Sequence, residues 1–518
     1  MNVPNERVLE GLIEASLLSS GYVKSEPSNF NRALGIDTAD LFAFIGAKQV
    51  REWDNYVARG HGGDVTKAQQ GFARRLANEL SVRGTVDVLR HGVSDVGISF
   101  KLAYFKPAHG LTPELLEKYE ANRVGVMRQF NYEVGSEKDI DICLLVNGIP
   151  TATAELKNQL TGQTVEHAKK QYREDRDAKN VSLAHRAVVH FALDVEAVAM
   201  TTRLDGAKTR FLPFNQGSGG AGQQGGAGNP VNPNGHKTAY LWEQVWARDA
   251  WMDLLARFIH AEKSDTHAWK DAIASRSVIF PRFHQWDAVR KLEASAKLLG
   301  AGQSYLVQHS AGSGKSNTIG WIAHRLSNLH SAADEKVFDK VVVITDRVVL
   351  DKQLQDTIYQ FEHAHGVVVR IDENSSQLAE ALSGEQAKII ITTLQKFPYI
   401  LGKNGEMPRR KYAVIVDEAH SSQTGQAAKD LRAALSKAAE PTPKELAAAE
   451  QEDLTDESQR DDGEDLLNNA VAGRGKQPNI SFFAFTATPK AKTLEIFGQK
   501  VEIGGQPRFV PFHLYSMK

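Results

Sequence analysis

The chain has 518 residues, too many for one hydrophobic core, and so divides into about two to four domains. Its composition, 42% hydrophobic and 24% charged with a net charge of −1, excludes a globally basic nucleic-acid binder; contact with DNA must come from local basic surface or from a partner. A single cysteine, Cys143, excludes an internal disulfide, and no apolar run approaches membrane-spanning length, so the protein is expected in a reducing cytoplasm and not in a membrane.

Over residues 6–20, Val8, Leu9, Leu12, Ile13 and Leu17 recur with helical spacing, and Gly21 ends the run. A second helical pattern over 65–80 precedes a strand-like run at 85–89, and Thr112-Pro113 starts a third helix. Two strand-like runs follow, 140–146 and 151–156, joined by the hairpin dipeptide Asn147-Gly148. A helix is expected over 164–175, then strands near 197–201 and 209–214 joined at Asp205-Gly206.

Residues 215–235 are glycine-rich and low in complexity, which reads as a disordered loop of the first domain. The amphipathic helix after it carries Trp242, Trp246, Trp251, Leu255 and Phe258. Assigning it to the same domain places the boundary near Ala272, with domains at 1–271 and 272–518. From Phe280 onward short apolar strands alternate with helices, the βαβ pattern of a parallel sheet, with strand candidates at 305–307, 341–344, 389–391, 413–416 and 481–485. Residues 438–478, rich in Glu, Asp, Gln and Ala, form an acidic and partly disordered insertion.

His309-Ser310-Ala311-Gly312-Ser313-Gly314-Lys315-Ser316 stands between an apolar run and a helix-like segment, the setting of a phosphate-binding loop. Gly312, Ser313 and Gly314 let backbone N–H groups wrap a polyphosphate, Lys315 reaches the β- and γ-phosphates of ATP, and the Ser316 hydroxyl ligates Mg2+. The first glycine of the usual pattern is His309 here, a change that helicase-type loops tolerate. Asp417-Glu418-Ala419-His420 follows an apolar run, so its acids fall at the carboxyl end of a buried strand. Asp417 would hold the Mg2+ shared with the phosphates, and Glu418 would polarise the attacking water. Thr486 and Thr488, in Thr486-Ala487-Thr488-Pro489, supply hydroxyls that could sense hydrolysis, and Gln285 of Phe283-His284-Gln285 offers an amide to adenine's edge. Thr345-Asp346-Arg347 and Thr392-Thr393-Leu394-Gln395 lie at strand ends where helicases touch the nucleic-acid backbone.

In this order the segments resemble the first RecA-like motor domain of superfamily 2 DNA translocases, over about residues 280–518. The wording of the glycine loop and of Asp417-Glu418-Ala419-His420-Ser421-Ser422-Gln423-Thr424-Gly425 is similar to that of the restriction (R) subunit of type I restriction-modification enzymes. That family carries a nuclease site upstream. Here Asp141 lies on the first arm of the Asn147-Gly148 hairpin, and Glu155-Leu156-Lys157 on the second. Strand alternation turns Glu155 and Lys157 to one face, and Asp141 can bring its carboxylate alongside. Two carboxylates would bind one or two Mg2+, while Lys157 would position or help deprotonate the water, or neutralise the transition state. The acid-x-Lys triplet is unspecific by itself; the hairpin, Asp141 and above all the motor downstream give it weight.

Over about residues 5–176 the chain resembles the PD-(D/E)xK nuclease fold of type I restriction subunits, whose catalytic triad Asp141, Glu155 and Lys157 match. The resemblance also offers Glu10 as a further metal-binding acid and Gln171 as a site residue. The tyrosine placed four residues after that glutamine is Asp175 here, with Tyr172 displaced. The implied fold class is α/β, a mixed-sheet endonuclease domain followed by a parallel-sheet, RecA-like motor domain. The implied function is an ATP-dependent, DNA-translocating endonuclease subunit that uses ATP and Mg2+ and cuts double-stranded DNA away from its recognition site. Methylation and specificity subunits would supply sequence specificity and S-adenosylmethionine dependence. Such motors hydrolyse ATP between two RecA-like domains, and the roughly thirty residues after Pro489 are too few for a second one, so this chain is expected to lack a complete motor. The rival reading is a superfamily 2 helicase or remodeller whose degenerate nuclease fold only binds DNA.

Overall fold

The sheet of the first unit grows outward from the Asn147-Gly148 turn. Both residues take left-handed backbone conformations, φ 51° and 82°, as a two-residue hairpin requires. In the computed structural model the described residues are 6–108, 110, 112–158, 162–261, 278–345, 354–359, 366–371, 375–393, 410–417 and 478–517. They form two units, the first of Met1–Ser218 with Ala227–Phe283 and the second of Gly219–Gly226 with His284–Lys518. Among the described residues no helix is long and apolar enough to cross a membrane.

The first unit carries a mixed sheet of seven strands whose spatial order follows the chain. They are β1 (Val23–Lys24), β2 (Val124–Phe130), β3 (Ile140–Val146), β4 (Ile149–Leu156), β5 (Val189–Leu193), β6 (Val198–Thr201) and β7 (Leu212–Pro213). Pairing is antiparallel except for β1 with β2 and β4 with β5. The helix α1 (Glu6–Ser19) starts the unit; α2 (Val65–Arg83), α3 (Thr85–His91), α4 (Pro113–Glu120) and α5 (Val165–Glu174) follow. Cys143 and Leu145 of β3 pack with Ala168 and Tyr172 of α5, so this helix covers the sheet face on which Asp141 lies.

The hairpin turn is itself packed. A Cβ added at Gly148 would stand 2.1 Å from the Asp37 carbonyl oxygen, on a backbone that already disfavours any side chain. Gly148→Ala is expected to destabilise this unit by roughly 2–4 kcal/mol, read as a fall in the urea midpoint; an unchanged midpoint would contradict it.

Several expectations need correction. Residues 85–89 are helical, within α3, because packing overrides the strand preference of Thr85, Val86 and Val88. Val88 and Leu89 are buried, and Asp87 accepts at i±4 from Arg83 (2.6 Å) and pairs with His91 (3.0 Å). The tryptophan segment is not one surface helix. It breaks into a π-helical turn (Leu241–Val245), a short α-helix (Arg248–Asp253) and a second π turn (Leu254–Phe258), with all five of its large apolar residues buried.

The glycine tract, expected to be disordered, has defined partners. Gly217 N donates to Gly228 O (2.8 Å) and Gln216 N to Asn229 Oδ1 (2.8 Å), while Leu514 N donates to Gly222 O (2.9 Å). The expected boundary near Ala272 and, apart from its last residue, the acidic insertion at 438–478 lie outside the described residues.

The second unit is built on seven parallel strands, β8 (Ser304–His309), β9 (Lys340–Thr345), β10 (Val368–Arg370), β11 (Ile389–Thr393), β12 (Tyr412–Val416), β13 (Ile480–Thr486) and β14 (His513–Tyr515). Their order is β10-β11-β9-β12-β13-β8-β14. The central runs, such as Val341-Val342-Val343-Ile344 and Tyr412-Ala413-Val414-Ile415-Val416, are buried throughout, as a sheet covered on both faces demands. Two helices matter for the site, α6 (Phe283–Leu299) and α7 (Lys315–Ser327). Edge strand β14 and the hairpin of Gln499–Ile503 with Gln506–Val510 were not anticipated from the sequence.

Candidate active sites

In the first unit, Ile142 pairs with Ala154 across β3 and β4, and one more step of that register sets Asp141 opposite Glu155. Asp141 Oδ2 accepts from Leu156 N at 2.6 Å. Glu155 is fully buried; its Oε1 accepts from Arg176 Nε at 2.6 Å, while its Oε2 has no hydrogen-bond partner among the described residues. Burial, and then the Asp141 charge, push the Glu155 carboxyl up to about 8, against the pull of Arg176 and Lys157. Lys157 is 7% exposed just past the end of β4, its N–H bonded to Leu193 O at 2.9 Å. Asp141, Glu155 and Lys157 therefore converge at the end of one hairpin, roofed by α5.

A buried carboxylate oxygen without a partner, with a second carboxylate close enough to raise its pKa, is the donor set a divalent cation satisfies. Asp141 and Glu155 are the residues that could hold it. Glu10 is committed elsewhere: both its oxygens accept from Gln129 Nε2 at 3.0 Å, and Arg128 Nε lies 3.2 Å from Oε2. Among the described residues no three His, Cys, Asp or Glu side chains form a metal-holding group, so Glu10 does not complete a three-acid cluster. The Gln171 side-chain oxygen is buried without a hydrogen-bond partner among the described residues. Arg176 was not foreseen; it lies beyond α5, and only the fold brings it to Glu155.

Two residues before Glu155, Thr153 Oγ1 bonds both Tyr172 Oη (2.8 Å) and His190 Nδ1 (2.7 Å). Burial lowers the His190 pKa to about 4. The folded ring stays neutral while the unfolded ring takes a proton below about 6.5, so stability is expected to fall as pH drops from about 6.5 toward 4, by up to roughly 3 kcal/mol. Urea titrations at neutral and mildly acid pH test this, and His190→Gln should flatten the slope.

In the second unit, β8 runs into the loop and α7 starts at Lys315, with Gly312 (φ 74°) and Gly314 (φ 85°) in the left-handed region. The loop's carbonyls are held from α6: Gln285 Nε2 donates to Gly314 O at 2.8 Å, and His284 Nε2 lies 3.1 Å from Ser313 O. Gln285 thus commits its amide nitrogen to the loop. Lys315 is 9% exposed at the positive end of α7. The sheet order puts the ends of β8, β13 and β12 side by side, which brings Thr486 (buried) and Thr488 (exposed) between the glycine loop and Asp417. Asp417 N donates to Ile344 O at 3.0 Å. Loops at the carboxyl ends of parallel strands are where such sheets bind ligands. Glu418, Asp346, Arg347, Leu394 and Gln395 lie outside the described residues.

Residues 114–209 match the family of the type I restriction enzyme R protein N terminus, and residues 284–441 match the SWI2/SNF2 ATPase family. β3, β4, β8 and β12 fall within these two spans, whereas β13, which carries Thr486, lies beyond them. Over residues 114–209 the chain is similar to the N-terminal region of type I restriction R proteins. It is 25% identical over 309 residues to a type I restriction enzyme endonuclease subunit of Staphylococcus aureus, covering 59% of this chain and 30% of that protein. A counterpart from Staphylococcus saprophyticus is 31% identical over 123 residues, covering 23% of this chain and 12% of its own length. The chain thus spans about a third or less of these curated R proteins' length. A solved fragment assigned to an HsdR subunit from Vibrio vulnificus YJ016 overlaps 74% of this chain and 50% of its own at 15% identity, with a TM-score of 0.25, too low to carry an argument.

Proposed function

We propose that this R-protein region belongs to an ATP-dependent endonuclease subunit of a type I restriction-modification complex, which translocates double-stranded DNA and cuts it away from the recognition site. The observation that carries the proposal is the presence, in one chain, of a buried Glu155, a half-buried Asp141 and Lys157 on a mixed sheet, and of a braced glycine loop on a parallel one.

At the nuclease site, Asp141 and Glu155 would hold Mg2+, which when bound activates water and neutralises the scissile phosphate. Arg176 keeps Glu155 Oε1 fixed, leaving Oε2 as the oxygen that would take the metal. Lys157 orients the water, takes its proton or offsets charge growing on the phosphate. At the motor site Lys315 would take the β- and γ-phosphates of ATP, and Ser316 and Asp417 would hold the accompanying Mg2+. Glu418 would polarise the hydrolytic water, Gln285 would border the adenine, and Thr486 and Thr488 would report hydrolysis toward the DNA. Partner methylation and specificity subunits would supply the target sequence and the requirement for S-adenosylmethionine, and the complex would work in the cytoplasm.

The test is reconstitution with those partner subunits. Cleavage of double-stranded DNA bearing unmethylated sites should need both ATP and Mg2+; cleavage indifferent to ATP would refute the two-site reading. Normal cleavage by an Asp141→Ala complex would favour a helicase with a degenerate nuclease fold.

A further inference from the structure

Beside the phosphate loop lies a chain of buried polar groups that the reaction above does not use. His309 and His513 are both fully buried. His309 Nε2 and His513 Nδ1 are 2.9 Å apart, His513 Nε2 is 3.0 Å from Asp287 Oδ2, and Lys291 Nζ is 2.7 Å from the same oxygen. Counting protons fixes the direction of each bond. Burial alone would raise the Asp287 carboxyl, but His513 and Lys291 outweigh it and hold it below the usual range, so it accepts. His513 therefore donates from Nε2. Burial pushes the pKa of His513 down against the pull of Asp287, and that of His309 well down with help from His513, His284 and Lys315, which favours the neutral form of both rings. A neutral His513 accepts at Nδ1, and His309 donates to it from Nε2.

We propose that His513 and Asp287 are positioning residues of the ATP site, acting through His309 to hold the phosphate loop in its binding geometry. The inference rests on the nucleotide reading of that loop. His309 occupies the place of the pattern's first glycine; a hydrogen-bonded relay there fixes what backbone freedom would otherwise leave open. The relay is one part of a clamp. On the same edge strand, Tyr515 O accepts from Ser310 N at 3.1 Å, and the Tyr515 ring stacks on His284 at 3.5 Å and 6°. His284 in turn holds Ser313 O.

The glycine tract seats the relay from behind. Gly222 O accepts from Leu514 N, Lys291 Nζ donates to Ala221 O at 2.8 Å, and a Cβ added at Gly222 would lie 2.7 Å from His513 Cδ2. Three buried polar atoms of the loop, His309 Nδ1, Ser310 Oγ and Ser313 Oγ, have no hydrogen-bond partner among the described residues. Atoms left so are the mark of a loop shaped around a polar ligand.

The experiment measures binding of a fluorescent N-methylanthraniloyl ATP with Mg2+ to the full chain, comparing the unaltered protein with Lys315→Ala, His513→Ala, His513→Asn and Gly222→Ala. His513→Ala should weaken binding about tenfold. His513→Asn, whose side-chain oxygen can still accept from His309, should recover most of the loss, and Gly222→Ala should weaken binding by displacing His513 without removing it. Unchanged affinity in a folded His513→Ala chain would overturn the relay alone, as would equal losses in the Ala and Asn variants. Should His513→Ala fail to fold, Gly222→Ala decides, and tight binding by it would overturn the relay. Absence of binding by the unaltered chain would overturn the nucleotide reading and the relay with it.

Discussion

Replacing Lys315 with alanine is expected to abolish ATP turnover in the assembled restriction complex and, with it, all ATP-dependent DNA cleavage. Lys315 is the first residue of α7 and is 9% exposed, so its ammonium is held where the helix dipole and the loop's N–H groups already favour an anion. In such a sheltered place one cation directed at the transferring phosphoryl group supplies several kcal/mol, and its loss should cost at least a hundredfold to a thousandfold in turnover, by order of magnitude. Alanine is the best helix former, so the start of α7 and the fold should survive. Loss of turnover with retained structure, followed by circular dichroism and phosphate release, is the expected pair. Normal ATP-dependent cleavage by the variant would remove the loop from the mechanism.

The second large effect is a separation. Asp141→Ala, or Lys157→Ala, should eliminate DNA cutting by on the order of a thousandfold or more while leaving ATP turnover near that of the unaltered complex. Asp141 also accepts from Leu156 N, so its removal should loosen the end of the hairpin; Lys157→Ala leaves that bond intact and gives the cleaner variant. Loss of ATP turnover in both variants would mean that the two sites are one functional unit.

Much of this arrangement was legible in the sequence because it depends on local pattern. The Asn147-Gly148 hairpin, α1, α5 and five strands of the parallel sheet follow from periodicity and turn residues that act over a few positions. That Asp141 and Glu155 lie on the two arms of one hairpin was legible for the same reason, but their direct pairing was not: the two-residue turn alone would set Asp141 opposite Ala154, and an irregularity at Leu144/Leu145 shifts the register by one to Glu155. What was hidden depends on distance along the chain. Arg176 reaches Glu155 only after α5 has crossed the sheet, and His513 meets His309 across 204 positions. The 85–89 run misled because β-branched residues in a short buried helix look like a strand until their partners are known. The glycine tract misled for the opposite reason: its composition resembles a solvated linker, yet its backbone carbonyls are used as acceptors.

That last feature bears on how this chain is handled at the bench. A stretch of glycines between two halves is where one would ordinarily insert an affinity tag, a fluorophore or a protease site to separate them. Here residues 221 and 222 lend their carbonyl oxygens to Lys291 and Leu514, and Gly222 has no room for a side chain beside His513. A cut or insertion at that point would unseat the edge of the nucleotide sheet, and a half-protein prepared that way would be missing a piece of its own wall.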